Sequence, residues 1–472
     1  MTNAILRGAS QLQVGAATLA LDKQETGGRI LDRRNFIRGT MLSGVLAACP
    51  AMARAADVRA GVKPAAPRPK TPGMEALTEI FRIGHGPSSS HTMGPYAASE
   101  KFLKRNPNAA RFEVTLYGSL SATGKGHFTD KAITDVLGAS RTKVIWSEEE
   151  KAFHPNGLEL RAYDTAGKVI DKWLCYSVGG GALAEEGVAS SVPKVYAEDT
   201  MEKIIAWCDA NQKPIWGLFD KVEGGAGWAH LKKVRETMNA AIASGLRKQG
   251  TLPGGLNLAR RAQDVYRKSR HFSQDSRRTA QLSAYAFAVN EENAALGVIV
   301  TAPTCGSCGT LPAVLHYFER AHGIAEDETL AALAVAGLVG NVAKQNGSIS
   351  GAEAGCQAEV GVAAAMAAAA ASYLMGGTPR QCQYAAAMAL EHFLGLTCDP
   401  VNGLVQIPCI ERNAIAANRA MTAAELSLLS DGTRVFNYDK IVKVMLETGH
   451  DLPAIYRETS KGGLARHFTG GC

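Results

Sequence analysis

Aromatic side chains, proline and an excess of one charge are all scarce in this 472-residue sequence. Aromatics make up 6% of it, and 18 prolines stand against 49 glycines. No collagen-like glycine period and no internal repeat is present, which excludes fibrous and repeat architectures. Basic and acidic side chains nearly balance, 51 against 44, and residues 1–55 hold seven of the former and three of the latter. The rest of the chain is close to neutral and lacks the basic footprint of a nucleic-acid binder. With 46% hydrophobic and 20% charged residues, neither disorder nor coiled coil fits. The chain is long enough for two or three domains with sizeable cores.

What is present begins with an address. Arg33-Arg34-Asn35-Phe36-Ile37-Arg38 precedes the uncharged stretch Gly39 to Ala53, whose apolar centre is Leu42, Val45 and Leu46. This resembles a twin-arginine export signal over residues 1–55, too short to anchor permanently in a bilayer. Ala51-Met52-Ala53-Arg54-Ala55 fits the small-residue cleavage rule and places the mature start near Ala56, in the periplasm. Leu46-Ala47-Ala48-Cys49 also has the form of a lipoprotein processing box, and a chance arginine pair in a mis-started frame is the plain alternative. Signals of this type serve proteins that fold around a cofactor before export, so a metal or cluster is expected. Residues 56–73, rich in Pro, Lys and Ala, read as a linker.

Two unlike halves follow. Residues 74–198 mix strand-like runs, Phe112 to Tyr117 and Leu158 to Tyr163, with glycine turns such as Gly179-Gly180-Gly181, which predicts an α+β domain. From 199 to 472 helical periodicity dominates: Leu231 to Ile242, Leu282 to Val289, Leu330 to Val342 and Val360 to Leu374. The Ala363 to Ala371 run predicts a buried helix whose small side chains admit close neighbours. The expected fold class is an α+β N-terminal domain followed by an all-α catalytic domain.

Ten cysteines are present, and an odd number remains once Cys49 is removed with the signal. Cys305-Gly306-Ser307-Cys308 is a C-x-x-C pair without the second pair that a zinc site requires, so it reads as a redox dithiol or as small residues in a tight turn before a helix near Leu311. Cys356, Cys398 and Cys409 lie in turn-rich segments, and Cys472 follows Thr469-Gly470-Gly471. Spacing alone leaves these thiols open between core and metal ligands.

Gly84-His85-Gly86-Pro87-Ser88-Ser89-Ser90-His91-Thr92-Met93-Gly94-Pro95, Thr123-Gly124-Lys125-Gly126-His127-Phe128-Thr129-Asp130, His154-Pro155-Asn156-Gly157, Thr301-Ala302-Pro303-Thr304 and the three cysteine segments decide more. Together, over about residues 80–464, they resemble the iron-sulfur-dependent L-serine dehydratases (L-serine ammonia-lyases) in their single-chain form. The resemblance implies a 4Fe-4S cluster on Cys356, Cys398 and Cys409, a C-terminal thiol, here Cys472, that occupies the fourth iron at rest, and a homodimer. It implies release of pyruvate and ammonia from L-serine.

That chemistry must take a weakly acidic α-proton and expel hydroxide. A metal with an open position is a Lewis acid for the leaving oxygen, and histidine is the base suited to neutral pH. The family motifs place His127 as base and His91 as a second proton-handling or orienting group. Ser88, Ser89, Ser90 and Thr92 supply hydroxyl donors for a substrate carboxylate, although one of the serines can equally cap the helix near Pro95. Lys125 and Thr129 are further carboxylate candidates, with Asn346, Ser348 and Ser350 behind them. Asn290, Glu291, Glu292 and Asn293 form a polar run that is either part of the site or an exposed helix face. The leader and the Cys305 to Cys308 turn depart from the family, whose members are expected in the cytoplasm. The same elimination on threonine, a non-catalytic iron-sulfur electron-transfer protein, and a pyridoxal-phosphate enzyme are the alternatives. The last lacks a Schiff-base lysine segment with a phosphate-binding glycine loop.

Overall fold

The computed structural model describes residues 71–188 and 192–469, so the leader, Cys49, most of the linker and Cys472 lie outside the described residues. The five-stranded sheet runs in the order β3 (Thr142–Trp146), β2 (Arg111–Leu116), β4 (Gly157–Tyr163), β5 (Val169–Ser177) and β6 (Leu183–Ala184). Only β2 and β3 are parallel. In β2, Phe112, Val114 and Leu116 are buried while Arg111, Glu113 and Thr115 turn away, the period-two pattern expected of a half-covered strand. Register pairs Val114 with Leu160 on β4 and Val144 on β3. Helices α1 (Gly94–Arg105), α2 (Ser119–Ala122) and α3 (Thr129–Leu137) cover this face, where Phe102, Leu120, Ile133 and Leu137 complete one apolar core.

The rest is largely helical: α4 (Met201–Asn211), α5 (Trp216–Gly245), α6 (Ala262–Ser269), α7 (Gln274–Ala294), α8 (Thr310–Tyr317), α9 (Glu326–Asn346), α10 (Gly351–Ala354), α11 (Val362–Leu374), α12 (Pro379–Glu391), α13 (Cys409–Leu428), α14 (Tyr438–Asp451) and α15 (Gly463–His467). Every alanine from Ala363 to Ala371 is fully buried, as the composition predicts, so α11 is the central helix of a second core. Small residues allow the approach: a Cβ on Gly340 of α9 would come within 2.8 Å of Met366 Sδ. Strand β1 (Ile83–His85) pairs antiparallel with β7 (Val298–Val300), tying the segment before α1 to the helical part. Among the described residues, no helix is long and apolar enough to cross a membrane.

The polar run on α7 removes one of its two readings. Asn290 to Asn293 form no exposed face; all four are buried. Glu291 accepts from the N–H groups of Arg261 and Ala262 at the start of α6 (2.7 and 3.1 Å). Glu292 meets Lys248 and Arg260 (2.5 and 2.9 Å), and Asn293 donates to the Pro87 carbonyl at 2.9 Å, steadying the loop before α1. Partners from distant chain offset part of the cost of burying this run, and Asn290 Oδ1, Glu291 Oε2 and Asn293 Oδ1 are left without partners.

Candidate active site

Two buried side-chain clusters meet where the sheet-bearing and helical parts touch. The first starts at Ser88, whose Oγ accepts from the His91 N–H at 3.1 Å and opens a π-helical turn, Ser89–Met93, leading into α1. Turns of this kind recur at functional sites. His91 is held at both ring nitrogens, Nδ1 by Ser90 Oγ at 2.8 Å and Nε2 by Ser119 Oγ of α2 at 3.1 Å. The His127 ring stacks on it with centroids 4.5 Å apart. Thr92 Oγ1 donates to the His127 carbonyl at 2.7 Å, which fixes the loop rather than the ring. His127 Nδ1 is buried and has no partner.

Glu458 stands beside both rings, its Oε1 3.4 Å from His91 Nδ1 and 3.8 Å from His127 Nε2. Its N–H donates to the Cys398 carbonyl at 2.7 Å, and its own carbonyl accepts from Ser119 Oγ at 2.7 Å. Burial pushes the His91 imidazole down to about 4 and His127 well below its ordinary 6.5, with His91 adding to the effect on His127. Both rings are therefore neutral at pH 7, the form that accepts a proton.

The second cluster is thiol-rich. Ligand atoms of Cys356, Glu359 and Cys398 lie within 4.8 Å of one another, all buried. Cys356 precedes a second π-helical turn, Gln357–Gly361, that carries Glu359. Cys409 is the first residue of α13, also buried, and one turn on Arg412 donates to the Thr397 carbonyl at 2.6 Å. A hydrogen bond from Cys398 and the Arg412 guanidinium hold the Cys356 thiol down to about 6 against burial, so it is poised as thiolate. Thr304 Oγ1 donates to Glu359 at 2.8 Å, while burial and the neighbouring Cys356 push the Glu359 carboxyl up to about 8. A Cβ on Gly351 would stand 2.6 Å from Glu359 Oε2 and 3.2 Å from Cys398 Sγ, so glycine keeps this cradle open. Two soft sulfur donors and a carboxylate converge here and suit a thiophilic metal centre, while the predicted ligand Cys409 is buried but lies outside this group.

The two clusters are joined by backbone. Cys398 and Arg457 form a parallel bridge, which places Glu458 next to the cysteine loop. A Cβ on Gly126 would overlap the Asn402 carbonyl oxygen and Gly403, so the His127 turn lies directly on the chain between Cys398 and Cys409. Phe128, Asn402 and Glu458 all hold left-handed backbone (φ +53°, +53° and +57°), conformations that cost a non-glycine residue energy and gather at functional sites. Replacing Gly126 with alanine is expected to force the turn away from Asn402, at a cost of about 1–3 kcal/mol typical of overpacking. Thermal unfolding together with catalytic rate checks this: both fall if the contact holds His127 in place, and neither falls if the turn gives freely.

Not every residue picked out from sequence gathers here. His91, His127, Ser88, Ser89, Ser90 and Thr92 do, all buried, although Ser88, Ser90 and Thr92 hydrogen-bond within the loop. Thr129 Oγ1, at the start of α3, and Ser350 Oγ, before α10, are buried without partners and are available to a ligand. Ser348 donates to Glu353 at 2.6 Å and supports the chain before α10. Two residues are not brought to the clusters: Lys125 is 80% exposed with its Nζ 4.0 Å from Asp130, and the Asn346 amide donates to the Asp199 carbonyl at 2.6 Å. Glu458, Ser119, Arg412 and Glu359 were not anticipated. Only Glu359 had a local signal, its three-residue spacing from Cys356, which puts both on one helix face.

Comparison with known proteins agrees over most of the chain. The serine dehydratase beta chain profile matches residues 76–145 and the serine dehydratase alpha chain profile matches residues 172–465. The chain is 40% identical to an L-serine dehydratase of Streptomyces coelicolor, covering 83% of this chain and 98% of that protein. It is also 40% identical to L-serine dehydratase TdcG of Escherichia coli, over 83% and 99%, and 39% identical to an L-serine dehydratase of Haemophilus influenzae, over 83% and 99%.

Proposed function

Since this chain belongs to the serine dehydratase family, we propose that it is an L-serine ammonia-lyase, with a 4Fe-4S cluster held by Cys356, Cys398 and Cys409, that converts L-serine to pyruvate and ammonia. The observation that carries this reading is a buried group of two thiols and a carboxylate, Cys356, Cys398 and Glu359, with buried Cys409 on α13, next to a neutral, stacked histidine pair. When bound, the cluster supplies a Lewis acid for the departing hydroxyl.

His127 takes the α-proton. Its Nδ1 has no competing partner, whereas both nitrogens of His91 are engaged by serine hydroxyls. His91 holds the stack and is itself pushed toward the neutral form by burial. Thr129 and Ser350 present free hydroxyls for the substrate carboxylate. Burial excludes bulk water from the base and strengthens each of these contacts. After elimination, aminoacrylate tautomerises and hydrolyses in water without further help from the chain.

Cys472 extends the proposal as the resting fourth ligand. Leu464 N–H is held by Asp399, the residue after Cys398, at 2.6 Å, and the eight residues from there to Cys472 reach up to about 26–29 Å. The twin-arginine leader makes the loaded protein an exported one. Sequencing of the mature N-terminus from fractionated cells checks this: a start near Ala56 in the periplasm agrees, and an intact leader in the cytosol contradicts it.

The test of function is anaerobic loading with iron and sulfide followed by assay with L-serine and L-threonine. Equal amounts of pyruvate and ammonia from L-serine are expected. A loaded protein that turns over neither amino acid contradicts the assignment, and preference for L-threonine moves it to the neighbouring substrate.

A further inference from the structure

We propose that Glu458 is the positioning residue of the histidine pair, holding His91 and His127 in register with the cysteine loop through one carboxylate and one backbone bridge. This rests on His127 being the base under the function proposed above.

Four observations converge on it. The Glu458 carboxylate is buried and reaches both imidazoles through the same oxygen, Oε1, at 3.4 and 3.8 Å. Its Oε2 is buried without a hydrogen-bond partner, an unsatisfied atom left beside the two rings. Its backbone is left-handed, a conformation that a non-glycine residue keeps only where its surroundings enforce it. Finally, the enforcing contacts come from both halves of the site: its N–H to the Cys398 carbonyl, and its carbonyl to the hydroxyl of Ser119, which also holds His91 Nε2. One residue thereby fixes the distance between the base and the thiols. The carboxyl stands on the Nε2 side of the His127 ring at 3.8 Å, longer than a hydrogen bond, so it limits where the ring can lie and leaves Nδ1 unpartnered.

A structural role alone would lower stability and iron content; a positioning role alters proton transfer while sparing both. The experiment compares loaded wild type, Glu458→Gln and Glu458→Ala by kcat, KM, the primary isotope effect with α-deuterated serine, and the rate at which diethylpyrocarbonate modifies each histidine. For E458Q the expected kcat loss is about 10- to 100-fold, the scale set by misplacing a catalytic group by a fraction of an ångström to 1 Å. KM and iron content stay near wild type and the isotope effect rises. E458A loses more than E458Q, since glutamine keeps the shape and one acceptor oxygen. Modification of His91 and His127 accelerates several-fold in both variants, while exposed His271 is unchanged.

Wild-type kcat and unchanged modification rates in E458Q overturn the proposal, as does equal loss of iron and helical signal in both variants, which reduces Glu458 to a fold element. A wild type that makes no pyruvate overturns the function instead, and the histidine modification rates then decide the positioning role alone.

Discussion

Replacing Cys356 with alanine removes iron from the protein and lowers pyruvate formation at least about a thousandfold, the loss that several kcal/mol of Lewis-acid stabilisation represents. The expectation follows from where the thiol sits. Gly355, at φ +75°, ends α10 and turns the chain so that Cys356 enters the cradle beside Cys398. Arg412 and the Cys398 thiol already favour the thiolate at Cys356, so it is the donor best prepared to bind metal before the others deprotonate. Iron and sulfide analysis of the loaded variant, with circular dichroism to show that the helices persist, checks this directly. Cys382→Ala is the control: that thiol, on α12, is also buried, but it points to the Gly377 carbonyl ahead of the helix, and the variant is expected to retain full iron. Wild-type iron content in Cys356→Ala would remove this residue from the ligand set.

Replacing His127 with alanine or asparagine is expected to leave iron content unchanged and to lower kcat by about 10² to 10⁴, the contribution typical of a positioned general base. The same assignment fixes a pH dependence. A base works in its deprotonated form, and burial holds the His127 pKa well below 6.5, so the acidic limb of kcat/KM lies below pH 6.5. Rate therefore persists as pH falls through the ordinary histidine range and is lost only further into acid. A limb at or above 6.5 that vanishes in His127→Asn would contradict the buried, neutral ring while keeping the base; a limb unaffected by the substitution would assign it elsewhere.

Much of this was legible along the chain because it depends on local pattern. Alternation in Phe112, Val114 and Leu116 reports one covered face of a strand, and the run Ala363 to Ala371 reports a helix with no exposed side. The histidine and cysteine motifs were legible through family resemblance. The rest arises from contacts between distant segments. Glu458 lies 339 residues from the Ser119 hydroxyl that meets its carbonyl, and nothing near it in sequence announces that meeting. The run Asn290 to Asn293 was ambiguous for the same reason: polarity on a helix signals either water or buried partners, and Lys248 and Arg260 arrive from elsewhere in the chain. Lys125 belongs to a family motif, yet its side chain is free to turn outward because it is Gly126 and His127 that pack on the cysteine loop.

The central claim, that three thiols hold a cluster whose remaining iron takes the substrate, is tested most directly by Mössbauer spectroscopy of ⁵⁷Fe-loaded protein with and without L-serine. Four irons per chain are expected, one of which changes its signal when L-serine is added while the other three do not. Absence of a cluster after anaerobic loading, or four irons indifferent to L-serine, would contradict it.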